Sequence, residues 1–421
     1  MKRIEAMDLL SYGFTHSVKD PLWQNVKFTA ELKNLLGIED VQKLSRIKQN
    51  GPAFHIYPGA VHTRLDHSIG VYYLGREILL SLSGKSEELP FTRKGMMSFL
   101  ASCLLHDIGH FPYAHSLKEL PLEEHEEIAA RMILRDGDLR QAIVSAGADP
   151  EMVASIIDTR RSAEDEETGI YRSILSGTLD PDKMDYLSRD AFFAGLPYGR
   201  QDTDFIISSL FLAGGRIVLD EEAMSLVEYL LFSKYILYRN LYWHKGVRSA
   251  TAMIKKAMLL ALEEGEIEAG DLYILDDYDF ADLYRKHSDF EPFRLIDMVE
   301  HNRLLERKAF KDYDEDGFIE RNAGFLSGRL SIERRIYMDL LPHHPELKEH
   351  EVIIDIPEPI HFETGIPLLS KDGAIRDSKE TRSVFSSGVF EHTLRKVALY
   401  LPEAIPEEEA LKCFWEIENG E

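Results

Sequence analysis

The sequence predicts a mainly α protein with a smaller mixed α+β lobe at its C-terminal end. Apolar side chains recur at helical spacing through most of residues 1–340, residues 95–106 are apolar on nearly every side, and after Glu351 short apolar runs alternate with turn signals. With 421 residues, 44% of them hydrophobic, the chain can bury a large core. The expected organisation is a helical body over 1–340 and an α+β lobe over 341–421, without repeats or low-complexity linkers.

Residues 26–49 place Leu32, Leu35, Leu36, Val41, Leu44 and Ile47 at roughly helical spacing, with a break at Gly37. Asn50-Gly51-Pro52 and Pro58-Gly59 then bracket a short extended piece, AFHIY. A helix is expected from Leu65 through Leu82, with Ile69, Tyr72, Tyr73 and Leu79 among its apolar or aromatic positions. The next, GMMSFLASCLLH at 95–106, is apolar enough to be buried on most faces, and Gly109 and Pro112 end it. Further helices are expected at 122–135, 150–158, 182–193 and 222–262. Gly214-Gly215 followed by RIVL at 216–219 predicts a small strand or hairpin, and the third quarter stays helical but more polar to about residue 340. VIIDI (352–356) and HFETGIPLL (361–369), with an Asp372-Gly373 turn, read as strands, and FEHTLRKVALYL (390–401) as a return to helix.

Composition excludes several roles. No apolar run reaches the roughly 18–20 residues that a membrane-spanning helix needs. The opening MKRIEAMDLL lacks the apolar stretch of a secretory signal. Cys103 and Cys413 are the only cysteines, too few for a disulfide framework or a thiolate zinc site, so a cytoplasmic location is expected. The net charge of −24 repels nucleic acid at long range, and there is no basic patch to offset it; Arg160-Arg161 runs straight into acidic Glu164–Glu167.

An apolar helix does not end in His106-Asp107 without partners for both, because an unpaired buried polar group costs roughly 2–7 kcal/mol. Five segments carry such groups: HTRLDHSIG (62–70), HDIGHFPYAH (106–115), HEE (125–127), LDPDKMDYLSRD (179–190) and YRNLYWHK (238–245). A lone histidine on a helix is ordinarily a core or surface residue. Several beside carboxylates, concentrated between His62 and His125, point to a metal or phosphate site. Imidazole and carboxylate suit Fe, Mn, Zn, Co or Ni, and His106 and Asp107 can reach one ion together. The other ligands do not follow from spacing. An ion so placed polarises a phosphoryl group and lowers the pKa of bound water.

In this order the segments resemble the HD-domain family of deoxynucleoside triphosphate (dNTP) triphosphohydrolases, which includes the mammalian SAM-and-HD-domain enzyme and bacterial dGTPase-like proteins. The resemblance covers roughly residues 20–260, and no SAM domain is expected. The His-Asp pair alone is common by chance; set in HDIGHFPYAH, with RLDHSIG upstream and DPDKMDYLSRD downstream, it is specific. The resemblance implies an HD-type helical core that binds a divalent metal ion (Fe, Mn, Zn, Ni, Co or Mg) through His67, His106, Asp107 and Asp182. It implies His125 as the proton-transfer group, His110 and His115 along the phosphate channel, and Arg64 and Lys183 on phosphates. Gln49, Tyr186, Asp190 and Tyr242 match positions around the deoxyribose. It also implies a nucleotide substrate and a homodimer or higher homo-oligomer.

Taken singly, Arg64 and Lys183 read better as partners of the protein's own carboxylates, and Tyr186 and Tyr242 equally well as core aromatics. Asp180, Asp185 and Asp190 would be capping or ion-paired residues, and His62 and His244 structural; His55 is open. Three positions depart from the family. Lys118 stands where a carboxylate backs the catalytic histidine, so Glu119, Glu123 or Glu124 must serve if any does, and Glu119 is the expected choice. Asn50 replaces an apolar residue against the nucleoside. Gly37 and Ser45 replace an Asp and an Arg of members activated by guanine nucleotide, so no dGTP activation through that site is expected.

The expected activity is hydrolysis of dNTPs to deoxynucleoside and triphosphate, with metal-bound hydroxide attacking the α-phosphate. Two alternatives remain open: an HD phosphohydrolase acting on a monophosphate or phosphodiester, and a nucleotide-binding sensor without turnover.

Overall fold

A computed structural model describes residues 1–135, 137–163, 165–360, 362, 365–376 and 394–420. Helices dominate it. The helix Arg64–Lys85 starts on a capping box between Thr63 and Asp66 and lies against Arg93–Leu105 and Pro181–Phe193. Thr92 caps the second of these and Asp180 the third, which also has Pro181 in its first turn. Every side chain from Gly95 to Leu105 is buried, as its all-round apolar character requires. His125–Leu134, Pro150–Ile157 and Glu166–Leu175 complete this packing unit.

Two glycines allow the close approaches that build the site. A Cβ at Gly70 would fall 1.9 Å from Asp185 Oδ1, so its absence lets Asp185 reach past the Arg64–Lys85 helix. A Cβ at Gly109 would fall 2.0 Å from the His125 carbonyl, so the turn after His106 packs directly on the start of the His125–Leu134 helix.

A second apolar cluster centres on the helix Lys245–Glu263 with Arg294–Glu300. A third surrounds a sheet in which Lys396–Leu401 lies between Glu306–Asp312 and Ile353–Asp355, antiparallel to both. Helices Leu326–Leu340 and Glu407–Glu418 pack on that sheet, and Phe318–Ala323 packs against both helices. The strand Glu306–Asp312 belongs with this lobe, so a boundary drawn at 340 falls inside the packing unit.

Leu210–Ala213 and Arg216–Asp220 form the hairpin expected around Gly214-Gly215. Leu368–Leu369 joins it in parallel, and Ile375–Arg376 follows across the Asp372-Gly373 turn.

Within residues 26–49 the break expected at Gly37 separates short helices at Ala30–Leu35 and Glu39–Gln42, while Gln24–Phe28 pairs with His16–Asp20. Four expectations are corrected. AFHIY is not extended, because Pro52 starts a 3-10 turn over Gly51–His55. The helix expected at 222–262 is two, Met224–Leu237 and Lys245–Glu263, separated by a π turn at Tyr238–Tyr242. The third quarter contains the strand Glu306–Asp312. Lys396–Leu401 is a strand rather than a helix; it is central, with Val397 to Leu401 all buried, and so lacks the alternation that marks a half-exposed strand. Residues 390–393 of that segment, with His361, Glu363 and Thr364 of HFETGIPLL, lie outside the described residues.

Candidate metal centre and cavity

The end of the Arg93–Leu105 helix, the first turns of Arg64–Lys85 and the first turn of Pro181–Phe193 meet on the wall of a cavity of about 600 Å³. Donor atoms of His67, His106 and Asp107 lie within 4.8 Å of one another. Asp182 joins them: its Oδ1 is 2.9 Å from His67 Nε2 and 3.8 Å from His106 Nε2. His106 Nε2 is 3.4 Å from Asp107 Oδ1.

This donor set fits a divalent ion. Each imidazole uses its other nitrogen elsewhere, His67 Nδ1 with Asp185 Oδ2 at 2.8 Å and His106 Nδ1 with the Cys103 carbonyl at 3.0 Å. Both Nε2 atoms thereby face inward, the arrangement that orients metal-ligating histidines. His106 Nε2 is buried with no hydrogen-bond partner among the described residues, a cost that an ion would remove.

Charge around the cluster is strongly shaped. Burial opposes ionisation of Asp107, but His110, His106 and Arg64 hold its carboxyl well below the usual range, with Arg64 Nη1 donating to Oδ2 at 2.8 Å. Burial also opposes charge on His67, yet Asp182 and Asp185 push its pKa up to about 10 without an ion, so a bound metal must displace a proton. Burial drives His125 down to about 3 and His115 to about 4, and the Arg64 charge depresses both further. These two rings and His110, also pushed down by burial and Arg64, are neutral and packed together, His110 3.8 Å from His125 and 4.9 Å from His115 between centroids.

Asp190 also lines the cavity. Tyr242 donates to its Oδ2 at 2.5 Å, and His62 Nε2 lies 2.8 Å from Oδ1. Gln49, Tyr186, Asp190 and Tyr242 all line the cavity, as do Arg64, His110, His115 and His125. Gln49 Oε1 and Asn50 Nδ2 are buried with no hydrogen-bond partner among the described residues, so this end of the cavity holds unsatisfied polar groups.

Two expected residues are not brought to the cluster. The Glu119 carboxylate is held by Lys255 and Arg329 and does not back His125; the carboxylate beside His125 Nδ1 is that of Glu126, at 3.3 Å. Lys183 is absent from the cavity wall, its ammonium drawn back onto Asp180 at 2.5 Å and the Gly177 carbonyl at 3.0 Å. His244 accepts from Gly246 N at the start of the Lys245–Glu263 helix, and the His55 ring lies tilted against Phe54, 4.0 Å between centroids. Sequence reasoning left Asp185 as a capping or ion-paired residue; its three-residue spacing from Asp182 was the signal that both reach one imidazole. Tyr238, Arg248, Lys255 and Glu358 also line the cavity and were not expected there.

A His-Asp pair closes a buried helix, and His67 and Asp182 are brought to it by two crossing helices. Residues 64–192 match the HD domain family and residues 201–398 the HD associated region, so the chain carries an HD domain followed by its associated region. It resembles the deoxynucleoside triphosphate triphosphohydrolases. The uncharacterized protein YwfO of Bacillus subtilis is 33% identical over 57% of this chain and 54% of its own length. The deoxynucleoside triphosphate triphosphohydrolase SAMHD1 of Bos taurus is 24% identical over 59% of this chain and 48% of its own length. The chain thus spans about half the length of these curated relatives. A solved phosphohydrolase structure from Bacteroides thetaiotaomicron shares the fold, with a TM-score of 0.71 at 21% identity over 92% of this chain and all of that one. Among the described residues no helix is long and apolar enough to cross a membrane.

Proposed function

We propose that the protein is a metal-dependent phosphohydrolase that cleaves dNTPs to deoxynucleoside and triphosphate. The observation that carries this is the convergence of His67 Nε2, His106 Nε2, Asp107 and Asp182 on one cavity that also holds the Asp190–Tyr242 pair. A divalent ion held there would supply Lewis-acid polarisation of the phosphoryl group and acidify a water.

The chain's own groups divide the remaining work. Arg64 neutralises Asp107 and presents its charge toward phosphate oxygens. His125, neutral and beside Glu126, takes or returns the proton, and His110 supports it in ring contact. Asp190 and Tyr242 hold the sugar hydroxyl, Tyr186 packs against the sugar, and Gln49 offers its free Oε1.

A phosphohydrolase acting on a monophosphate or phosphodiester is the second reading, favoured by the withdrawal of Lys183 from the cavity. A product screen with dNTPs, NTPs and monophosphates, run beside metal analysis of wild type and His67→Ala, tests both. Intact triphosphate from dNTPs supports the first, orthophosphate alone supports the second, and a nucleotide bound without product supports a sensor. We also propose a homo-oligomer, on the strength of the resemblance, to be checked by light scattering.

A further inference from the structure

With Lys183 held by Asp180 and Gly177, a phosphate tail leaving the metal cluster meets other cations. The segment that begins at His106 runs along the cavity wall. His110 Nε2 is 3.7 Å from Asp107 Oδ1, the His115 ring is 4.9 Å from that of His110, and Lys118 follows three residues later. Lys118 is exposed, lines the cavity, and makes no hydrogen bond or ion pair to a described residue.

Arg248 and Lys255, from the helix Lys245–Glu263, line the same cavity. Together with Lys118 and Glu358 they line one cavity, and all three cations lower the Glu358 carboxyl against the burial that raises it. Two of the three are anchored in advance. Arg248 grips Asp355 through Nε at 2.8 Å and Nη2 at 2.5 Å, and Lys255 is paired with Glu119, which Arg329 also holds. Fixed cationic heads lose little freedom on meeting an anion.

The electrostatic balance favours a polyanion. The cavity is lined by six Lys or Arg side chains and five Asp or Glu, in a chain of net charge −24, and a divalent ion would add two positive charges. Glu126 and Glu358 face Lys118, but burial raises both carboxyls and so weakens their opposition.

We propose that Lys118, Arg248 and Lys255 form an anion subsite that receives the polyphosphate tail of the substrate, taking the place of Lys183. The subsite rests on the dNTP reading above, since a monophosphate has no tail to put there. It also gives the lysine at position 118 a role, through charge-assisted hydrogen bonds to the leaving triphosphate.

The test is a calorimetric titration of inorganic tripolyphosphate into the intact protein as wild type, Lys118→Gln and Lys118→Arg. Ligand-free melting temperatures serve as the folding control. Wild type is expected to bind, Lys118→Gln to bind about tenfold or more weakly, and Lys118→Arg to recover most of the loss. Equal affinity in wild type and Lys118→Gln, or no binding by wild type, overturns the subsite. Failure of dNTPs to release triphosphate would sink the functional reading while a weakened Lys118→Gln still supports the subsite. Triphosphate release with unchanged affinity would sink the subsite alone.

Discussion

His67 Nδ1 lies 2.8 Å from Asp185 Oδ2, while its Nε2 lies 2.9 Å from Asp182 Oδ1, so one imidazole is held between two carboxylates of a single helix. Asp185 is itself fixed. Arg189 Nε and Nη2 donate to it at 2.8 and 2.9 Å, Trp23 Nε1 at 2.5 Å, and Arg189 is tied in turn to Asp20. Burial alone would raise the Asp185 carboxyl, but Arg189 and His67 hold it well below the usual range. A permanent carboxylate at Nδ1 fixes the tautomer that leaves Nε2 free for an ion.

Asp185→Asn is therefore expected to lower metal affinity about 10- to 100-fold while leaving the four donor side chains in place. Metal content after dialysis at a limiting free-metal concentration reads this directly. Wild-type content in the variant would show that His67 needs no carboxylate to orient it.

Much of the donor cluster is legible in the sequence, for a physical reason. The helix ending in His106-Asp107 is apolar all round, so its terminal polar groups need partners: Arg64 donates to Asp107 and His106 Nδ1 meets the Cys103 carbonyl, while His106 Nε2 faces the cavity without one among the described residues. What stayed hidden depends on long-range packing. Whether Glu119 reaches His125 is decided by Lys255 and Arg329, which lie 136 and 210 residues away along the chain. Lys396–Leu401 reads as helix because a strand covered on both faces shows no alternation, and that covering comes from residues 306–355 and 407–418. The cavity wall at Arg248, Lys255 and Glu358 joins two packing units, and no local pattern marks it.

The pairing of Glu119 makes its removal a stability change. Breaking a buried ion pair by removing one partner costs roughly 3–5 kcal/mol; Glu119 is 20% exposed, so Glu119→Gln is expected to cost about 2–3 kcal/mol. Lys255 and Arg329 hold the Glu119 carboxyl down to about 2 against the opposing effect of burial. A depressed carboxyl stabilises the fold above its unfolded value of about 4.5 and loses that contribution as pH falls through about 2. Urea denaturation of wild type and variant should thus differ by a constant amount from pH 7 to about 5, and converge below. Unchanged stability at pH 7 with a flattened pH–rate profile would instead make Glu119 the partner of His125.

Tyr242 and His62 both engage Asp190, and the two oxygens are thereby aimed. If the sugar hydroxyl is the third partner, Tyr242→Phe removes one donor to a charged group, a loss of about 1.5–3 kcal/mol. KM for a dNTP should rise about tenfold or more, and the preference for deoxyribonucleotide over ribonucleotide should fall. Equal loss on both sugars would assign Tyr242 to packing instead.

Gly109 ties the His-Asp turn to the proton-transfer histidine. A Cβ there would meet the His125 carbonyl at 2.0 Å and Ala129 N at 2.7 Å, both backbone atoms that no side-chain rotation can move aside. Gly109→Ala must push the His125–Leu134 helix away from the turn, an overpacking that costs about 1–3 kcal/mol. The four donor residues lie on other elements or before the turn, so bound metal is expected to stay near the wild-type amount. His110 and His125, now 3.8 Å apart between ring centroids, would separate, and turnover would fall more than substrate affinity. Metal analysis, thermal unfolding and kcat measured on one preparation distinguish the outcomes. A lowered melting temperature with full metal and reduced kcat supports the arrangement; an unchanged melting temperature and kcat would mean that the helix does not rest on Gly109.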